Sequence, residues 1–465
     1  MRQRSVGGRS SCRRSPECQG GHCFRTQGFD GLAGSGFETT GSSMKNSPSY
    51  GSYRPHESSC DPLSDWLEQI TGNEFVAIDL TLDRIRRVAS RLQLLSFEGR
   101  VITVAGTNGK GSTVRLLEAV LLASGLSVGS TTSPHLRCLN ERICINGCPA
   151  GDSTLVEAFE VIGQARGDIA LTYFEYVILA ALWIMKNARV EVLLLEVGLG
   201  GRLDAVNMVD ADIAVVTNID IDHTEFLGST RELIGAEKAG IFRQGQLAVL
   251  GDPNPPASVL AQAHRLDVDL KRRGRDFFVE DDCFLLENQH LPLQQALLPK
   301  SSLATALAVL YYGFGLNPQD NHRVMLSTRL SGRLQQIKKN IWLDVGHNPA
   351  AARYLCEEMS SRSKGRLRCV YATLGNKDVF GFASALSPVI DGWYLGATLG
   401  ERGRSARKLA ADLARLPQLN IRSVDEDLPS LLATATADQS EDSLLICGSF
   451  QCVDKATQWF GDGAV

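Results

Sequence analysis

A chain of 465 residues is too long for one core, because single cores stop growing at roughly 250 to 300 residues, so two domains are expected. With 43% hydrophobic and 22% charged residues, the composition is that of an ordinary soluble protein that needs neither disulfides nor a metal to hold its core. A net charge of -4 argues against a nucleic-acid partner. The twelve cysteines are scattered, without CxxC pairs or a compact framework, which reads as reduced and intracellular. The apolar run YVILAALWIM, from Tyr176 to Met185, is much shorter than the roughly 18 to 20 residues of a membrane span.

Residues 1–43 hold six arginines against three acids, are rich in Ser and Gly, and lack the apolar centre of a secretory signal. They read either as an organelle transit peptide or as a disordered or wrongly translated leader with Met44 as the working start. The glycines, which would interrupt an amphipathic targeting helix, favour the second reading. Helical spacing begins in CDPLSDWLEQI, where Asp61 can cap and Leu63, Trp66, Leu67 and Ile70 share a face. A second helix follows in LTLDRIRRVASRLQLL. Short apolar strands then alternate with turns and helices in VITVAG, EVLLLEVG and ADIAVVTN, the pattern of a mostly parallel sheet covered by helices. The periodic strands lapse from about Asn317 to Ser331. A second series of five follows in IWLDVG, LRCVYATLG, GWYLGATLG, LNIRSV and SLLICGS. The expected division is 1–43 leader, 60–316 first domain, 317–340 linker and 341–465 a smaller α/β domain.

Ligands of open α/β sheets bind beyond the carboxyl ends of the strands, and the polar residues of this chain stand there. In GTNGKGST the first strand ends at Gly106 and a helix is expected from Thr113, closed by Gly125. Backbone N–H groups of Asn108, Gly109, Lys110, Gly111 and Ser112 would then surround a phosphate, with Lys110 reaching its outer oxygens. The spacing departs from G-x-x-x-x-G-K-[ST]. Even so, a lysine between two glycines at a strand-to-helix junction favours a phosphate cradle over a plain turn. In LLLEVGLGGRLDAVN, Glu196 ends a buried strand. Such a carboxylate needs a cation or a set of N–H groups around it, and the loop upstream favours Mg2+. IDIDHTEFLG places Asp222 and His223 at the same edge, where His223 is a candidate ligand for a second divalent ion. GSTRELIGAEKAGIF opens with an expected capping box of Ser229 and Glu232 and carries Lys238, which reads in isolation as a solvated charge.

In order, GTNGKGS, TSPHL, NERI, EVGLGGRLDAVN, TNIDIDH, AEKAGI, SGRLQ and DVGHNP resemble the folylpolyglutamate synthase family of the Mur ligase superfamily, over about Trp66 to Phe450. The resemblance implies an α/β fold: an N-terminal P-loop ATPase domain with a parallel sheet, plus a smaller C-terminal Rossmann-like domain, with the active site between them. It implies ATP as substrate and two Mg2+ sites, with Ser133, Glu196 and His223 as ligands and Lys238 as the lysine this superfamily carbamylates. Arg333 and Asp344 resemble ATP contacts, and His347 stands beside them as a catalytic candidate. Asp79, Leu80, Thr81 and Leu82, together with Thr172, Tyr173, Phe174 and Glu175, resemble the dihydropteroate pocket of bacterial bifunctional members.

The implied reaction is ATP-dependent joining of L-glutamate to dihydropteroate and to tetrahydrofolates through an acyl phosphate. The implied protein is a cytoplasmic monomer, with no nucleic-acid or membrane partner. The alternatives are one of these two activities alone, a Mur-type peptidoglycan ligase, or a nucleotide-binding protein without catalysis. Four positions depart from the family pattern: Thr81 for Gly, Gly346 for Ala before His-Asn-Pro, Gln451 for His after GSF, and Ser302 for the asparagine that contacts adenine.

Overall fold

The computed structural model describes residues 62–71, 81–437 and 442–461. Asp61, Asp79, Leu80, Met44 and the 1–43 leader lie outside the described residues. The first sheet has eight strands: β1 (Arg100–Ala105), β2 (Val128–Thr131), β3 (Ile143–Ile145), β4 (Cys148–Pro149), β5 (Val192–Glu196), β6 (Ile213–Val216), β7 (Leu247–Leu250) and β8 (Asp269–Arg272). Their spatial order is β4-β3-β2-β5-β1-β6-β7-β8. The six strands from β2 to β8 in that order run parallel, while β3 and β4 turn back antiparallel at one edge.

Covered on both faces, the central strands β1, β5 and β6 are mostly apolar along their length, as buried parallel strands are, with Thr103 and Glu196 the buried polar exceptions. Val101, Leu193 and Leu195 face one core and Ile102, Val192 and Leu194 the other. The first core is closed by α1 (Pro62–Thr71), α2 (Asp83–Arg91), α4 (Asp152–Arg166), α5 (Tyr173–Asn187), α7 (Arg231–Ala239) and α8 (Ala257–Arg265). The second is closed by α3 (Lys110–Ala123), α9 (Lys300–Phe314) and α10 (Pro318–Ser327). A short helix, α6 (Thr224–Leu227), lies between β6 and α7. An antiparallel meander of β9 (Phe278–Glu280), β10 (Cys283–Leu286) and β11 (Gln289–Pro292) contributes Phe284, Leu286 and Leu291 to the second core.

The second lobe is a six-stranded sheet in the order β12-β13-β17-β14-β15-β16. Its strands are β12 (Gln335–Lys338), β13 (Ile341–Asp344), β14 (Leu367–Tyr371), β15 (Gly392–Gly396), β16 (Ile421–Asp425) and β17 (Ser443–Cys447). All pair in parallel except β12 with β13. One face carries α11 (Pro349–Arg362), α12 (Val379–Leu386) and α13 (Ala406–Leu413), the other α14 (Leu428–Ala437) and α15 (Phe450–Phe460).

All eight strands named from the sequence form. β2, with sequence VGST, and β8, with sequence DLKR, carried no period-2 apolar signal to reveal them. Three local expectations change. The helix after the glycine loop starts at Lys110 rather than Thr113, with Gly109 as its left-handed cap at φ 82°, so Lys110, Gly111 and Ser112 occupy its first turn. The Ser229/Glu232 capping box does not form. Thr230 caps α7 instead, and Glu232 accepts from the N–H groups of Ala257 (3.1 Å) and Ser258 (2.9 Å) at the start of α8. The stretch 317–340, read as a linker, contains α10 packed on the first lobe and β12 paired into the second sheet.

Candidate active site

Strand β1 lies between β5 and β6, so the loops after these three strands converge at one end of the sheet. That is the switch-point crevice where such folds hold ligands. Gly109 carries the left-handed turn and has no room for a side chain, since a Cβ there would lie 2.8 Å from Ser302 Oγ. Asn108 N donates to Asn218 Oδ1 at 2.8 Å, tying the loop to the end of β6. Lys110 Nζ curls over the loop onto the carbonyls of Gly106 (3.1 Å) and Thr107 (3.4 Å). Ser112 Oγ is buried and has no hydrogen-bond partner among the described residues. The helix N-terminus, the lysine and the unpaired hydroxyl together make a site for an anion.

Ser302, expected to meet a nucleotide base, is buried behind this loop with Oγ 3.5 Å from Gly109 O. Its hydroxyl faces the back of the cradle rather than open space.

Glu196 is buried at the end of β5 and accepts a hydrogen bond from Ser133 N at 3.1 Å. Burial pushes its carboxyl up, opposed by Lys110, the Ser133 N–H, Arg333 and Arg142. A Cβ on Gly111 would lie 3.4 Å from Glu196 Oε2, so this carboxylate sits against the first turn of α3. The job of collecting local N–H groups falls to Asp204 instead, which accepts from Leu199 N (2.8 Å) and Val206 N (3.1 Å).

Lys238 is almost fully buried and donates to Gly106 O at 3.0 Å. Burial, then the charge of Lys110, lowers it to about 7. The solvated reading of Lys238 is therefore wrong. His223 is held at φ 51° as the cap of α6, and burial, then Lys377, lowers its imidazole to about 4, which leaves it neutral as a ligand must be.

The structure joins Ser133 to Glu196 and sets His223 and Lys238 beside Lys110. It does not gather three or more His, Cys, Asp or Glu side chains into one metal group among the described residues. Glu196 and the unpaired Ser112 hydroxyl fit a hard, oxygen-preferring cation that takes its remaining ligands from phosphate and water. Lys238 as an unmodified amine does not.

The second lobe closes the crevice. Asp344 accepts from Leu334 N (2.8 Å) and Gly346 N (2.6 Å) and faces the Arg333 guanidinium, which lies 5.2 Å from the Phe450 ring centroid. His347 Nδ1 contacts Val345 O at 3.0 Å, and burial, then Lys377, lowers its imidazole to about 4. Gln451, one of the unusual residues, clamps a surface loop by its amide, which bonds Leu399 N (2.8 Å) and Leu399 O (3.1 Å).

Sequence reasoning named Asn108 and Asp222 but missed their partners across the lobes, Asn348 and Lys377. Asn348 caps α11 through Ala351 N (2.9 Å) and exchanges amide bonds with Asn108 at 3.0 and 3.1 Å. Asp222 accepts from Asn348 Nδ2 (2.9 Å) and Lys377 Nζ (2.8 Å). Burial alone would push the Asp222 carboxyl up, but Lys377, His223 and His347 overcome that and hold it well below the carboxylate range. Lys377 follows β14, so the rule that placed the other site residues at strand ends would also have found it. Breaking a largely buried pair leaves a charge stranded and costs about 3 to 5 kcal/mol. Lys377→Met is therefore expected to loosen the lobes, raising the radius of gyration in small-angle X-ray scattering and lowering kcat about tenfold; unchanged scattering and turnover would contradict the pairing's role.

In the pocket expected beside α5, the motif LTYFE divides. Thr172 and Glu175 form a reciprocal cap: Thr172 Oγ1 accepts from Glu175 N (3.2 Å), and Glu175 Oε2 from Thr172 N (2.7 Å) and Arg84 Nε (2.9 Å). Tyr173 and Phe174 are half-buried and pack against the edge of the first core. Phe174 packs on Gly198, where a Cβ would come 2.6 Å from the ring. Thr81 is exposed, and Leu82 is buried just before α2.

The chain matches the Mur ligase middle domain over residues 104–269 and the Mur ligase glutamate ligase domain over 332–450. It is 42% identical over 406 residues to the dihydrofolate synthase/folylpolyglutamate synthase of Escherichia coli (strain K12), a match spanning 84% of this chain and 94% of that protein. The chain belongs to the dihydrofolate synthase/folylpolyglutamate synthase family. Among solved structures of that family, E. coli FolC in complex with DHPP and ADP superposes with a TM-score of 0.80 at 42% identity, covering 86% of this chain and 97% of that one. A bifunctional folylpolyglutamate synthase/dihydrofolate synthase with Mn, AMPPNP and L-glutamate bound gives 0.79 at 39% identity, covering 86% and 98%. The two lobes seen here, each an α/β layer structure, are the family's fold.

Proposed function

We propose that this chain uses ATP and a divalent cation to join L-glutamate to dihydropteroate, making dihydrofolate, and to tetrahydrofolates, extending their glutamate chain. Relatives bearing both activities in their names support that reading. The observation that carries it is the anion cradle of Gly109, Lys110 and Ser112 lying directly against the buried Glu196 carboxylate at the junction of two lobes. We assign the first lobe, through α10, to nucleotide and folate binding and the second lobe, from β12 on, to the closing domain, in a cytoplasmic monomer. No helix among the described residues is long and apolar enough to cross a membrane.

A carboxylate is a poor electrophile, so the acceptor's carboxylate oxygen first takes the γ-phosphoryl group of ATP and ADP leaves. Lys110 supplies a point charge to the transferring group. A divalent ion held by Glu196, Ser112 and Ser133, with a second near His223, would add charge neutralisation there. The glutamate amine, its proton lost, then attacks the acyl carbon, the bond to the phosphate oxygen breaks, and inorganic phosphate departs. Water would hydrolyse the acyl phosphate, and the Asn108, Asn348, Asp222 and Lys377 contacts hold the second lobe over the site to exclude it.

Lys238 enters as the carbamylated ligand that the family resemblance implies. Its lowered pKa supports this, since only the uncharged amine reacts with carbon dioxide.

The deciding experiment is phosphate release from ATP, Mg2+ and L-glutamate with either dihydropteroate or tetrahydrofolate. Release with both is the expected result, release with one assigns that single step, and release with neither overturns the reading.

A further inference from the structure

One cation near the cleft has so far appeared only through its charge on Glu196. Arg142 ends the short 3-10 turn at Leu139–Arg142, immediately before β3. Its backbone carbonyl accepts from Thr132 N at 3.0 Å, so it lies across the strand pair from the residue preceding Ser133. Ser133 in turn is hydrogen-bonded to Glu196. On the other side, the Arg142 guanidinium carbon stands 5.4 Å from the Tyr173 ring centroid, and the neighbouring Phe174 ring packs on Gly198, two residues beyond Glu196. Four contacts therefore close a ring: Glu196 to Ser133, across the strand pair to Arg142, to Tyr173, and through Phe174 back to the Glu196 loop. Within it an aromatic wall meets the phosphate-transfer corner, and Arg142 stands at the seam.

The guanidinium is fixed before any ligand arrives. Its Nε donates to His135 Nδ1 at 3.0 Å, and the cation lies over the Tyr173 ring, 5.4 Å from its centroid. Neither terminal nitrogen has a hydrogen-bond partner among the described residues, and the acidic groups acting on it are the Tyr173 phenol, Glu196 and Glu141. Glu141 is committed elsewhere, to the N–H groups of Leu136 (2.8 Å), Arg137 (2.9 Å) and Cys138 (3.1 Å). A planar fork held at its Nε end, with terminal N–H groups unpaired among the described residues, matches a carboxylate in two-point geometry.

We propose that Arg142 binds the carboxylate of the acceptor, holding it between the Tyr173 wall and the Glu196 corner so that one carboxylate oxygen faces the phosphate cradle. The inference rests on the ligase reading for its choice of ligand, an aryl carboxylate. The same terminal N–H groups would hold the carbonyl side once that oxygen is phosphorylated, so the acceptor keeps its place between the two chemical steps. Arg142 thereby sets a requirement for a carboxylate at the end of the ring system, while the rings meet Tyr173 and Phe174.

The test is calorimetric binding to the full chain with ADP and Mg2+ present. The probes are 7,8-dihydropteroate and its decarboxylated counterpart, in which the benzene ring ends in hydrogen. Arg142→Ala is the direct variant, and Arg142→Gln keeps the stem against Tyr173 should the alanine protein fold poorly. Wild type is expected to prefer dihydropteroate by at least about tenfold, the scale of a charge-assisted pair. In both variants that preference should collapse, with binding of the decarboxylated probe changed by less than about twofold. Equal weakening of both probes would mean that Arg142 only props Tyr173, and would overturn the proposal. So would an unchanged preference, or a wild type that binds neither. A wild type that shows the preference yet releases no phosphate from ATP overturns the ligase reading and leaves this assignment standing.

Discussion

Lys110→Ala is expected to lower turnover by about three orders of magnitude, the loss seen when one preorganised charge is removed from a phosphoryl or oxyanion site. The fold should survive, because Lys110 Nζ bonds only the Gly106 and Thr107 carbonyls of its own loop and alanine is a good residue for the first turn of α3. A phosphate-release assay beside differential scanning calorimetry checks both halves. Tm within about 3 °C of wild type with activity lost supports the role. Retained turnover, or a collapse of Tm that accounts for the loss, sinks it. The same pair of measurements on Glu196→Gln separates charge from shape, since the amide keeps the side chain's size but no longer offers a carboxylate to a cation.

Lys238→Met is expected to abolish ligation and at the same time raise stability. In the unmodified chain the lysine is held near 7 against an ordinary 10.5, so between those values the unfolded chain binds a proton that the folded chain refuses. The resulting penalty is absent above about pH 10.5, grows as pH falls towards 7 and stays at its full size below that. A methionine fills the same space without a charge. Its gain in Tm, about 2 to 5 °C for a chain of this size, should be largest at and below pH 7 and shrink towards pH 10. The Gly106 carbonyl is not stranded, because Lys110 also donates to it. A Tm that falls, or a gain that increases with pH, would show that Lys238 contributes stability rather than costing it, and would remove the physical argument for an amine kept uncharged for function.

Some residues were legible because their roles depend on near neighbours. The strand-loop-helix of VITVAGTNGKGS carries its meaning within twelve residues: an apolar run, glycines where the backbone turns left-handed, and a lysine at the helix start. Glu196 was legible for the same reason, as an acid closing a run of four apolar residues. The reciprocal cap of Thr172 and Glu175 was written just as locally, as threonine with glutamate three residues on. The Ser229/Glu232 box shows the opposite case. Two residues could cap α7, Thr230 won, and Glu232 was drawn to the start of α8 by a neighbour about 25 residues away.

The sequence by itself made the apolar strands and the glycine loop legible, because apolar periodicity and glycine freedom act over a few residues, while β2, β8, α10 and β12 carried no such local signal. It determined the family as well, since eight motifs recur in a fixed order. Only the tertiary structure decided which charges are buried and with whom. Lys238 lies in RELIGAEKA, a segment whose composition reads as solvated, and it is buried because α7 packs its end beneath the Gly106 loop. Asp222 and Lys377 are separated by 155 positions and meet only when two independently built sheets present their strand ends to each other. Arg142 acquires its place from an antiparallel turn at the sheet edge and from the first residue of a helix 31 positions later. In each case the deciding quantity is the desolvation of a charge, which depends on the neighbours that folding brings together rather than on those the chain provides.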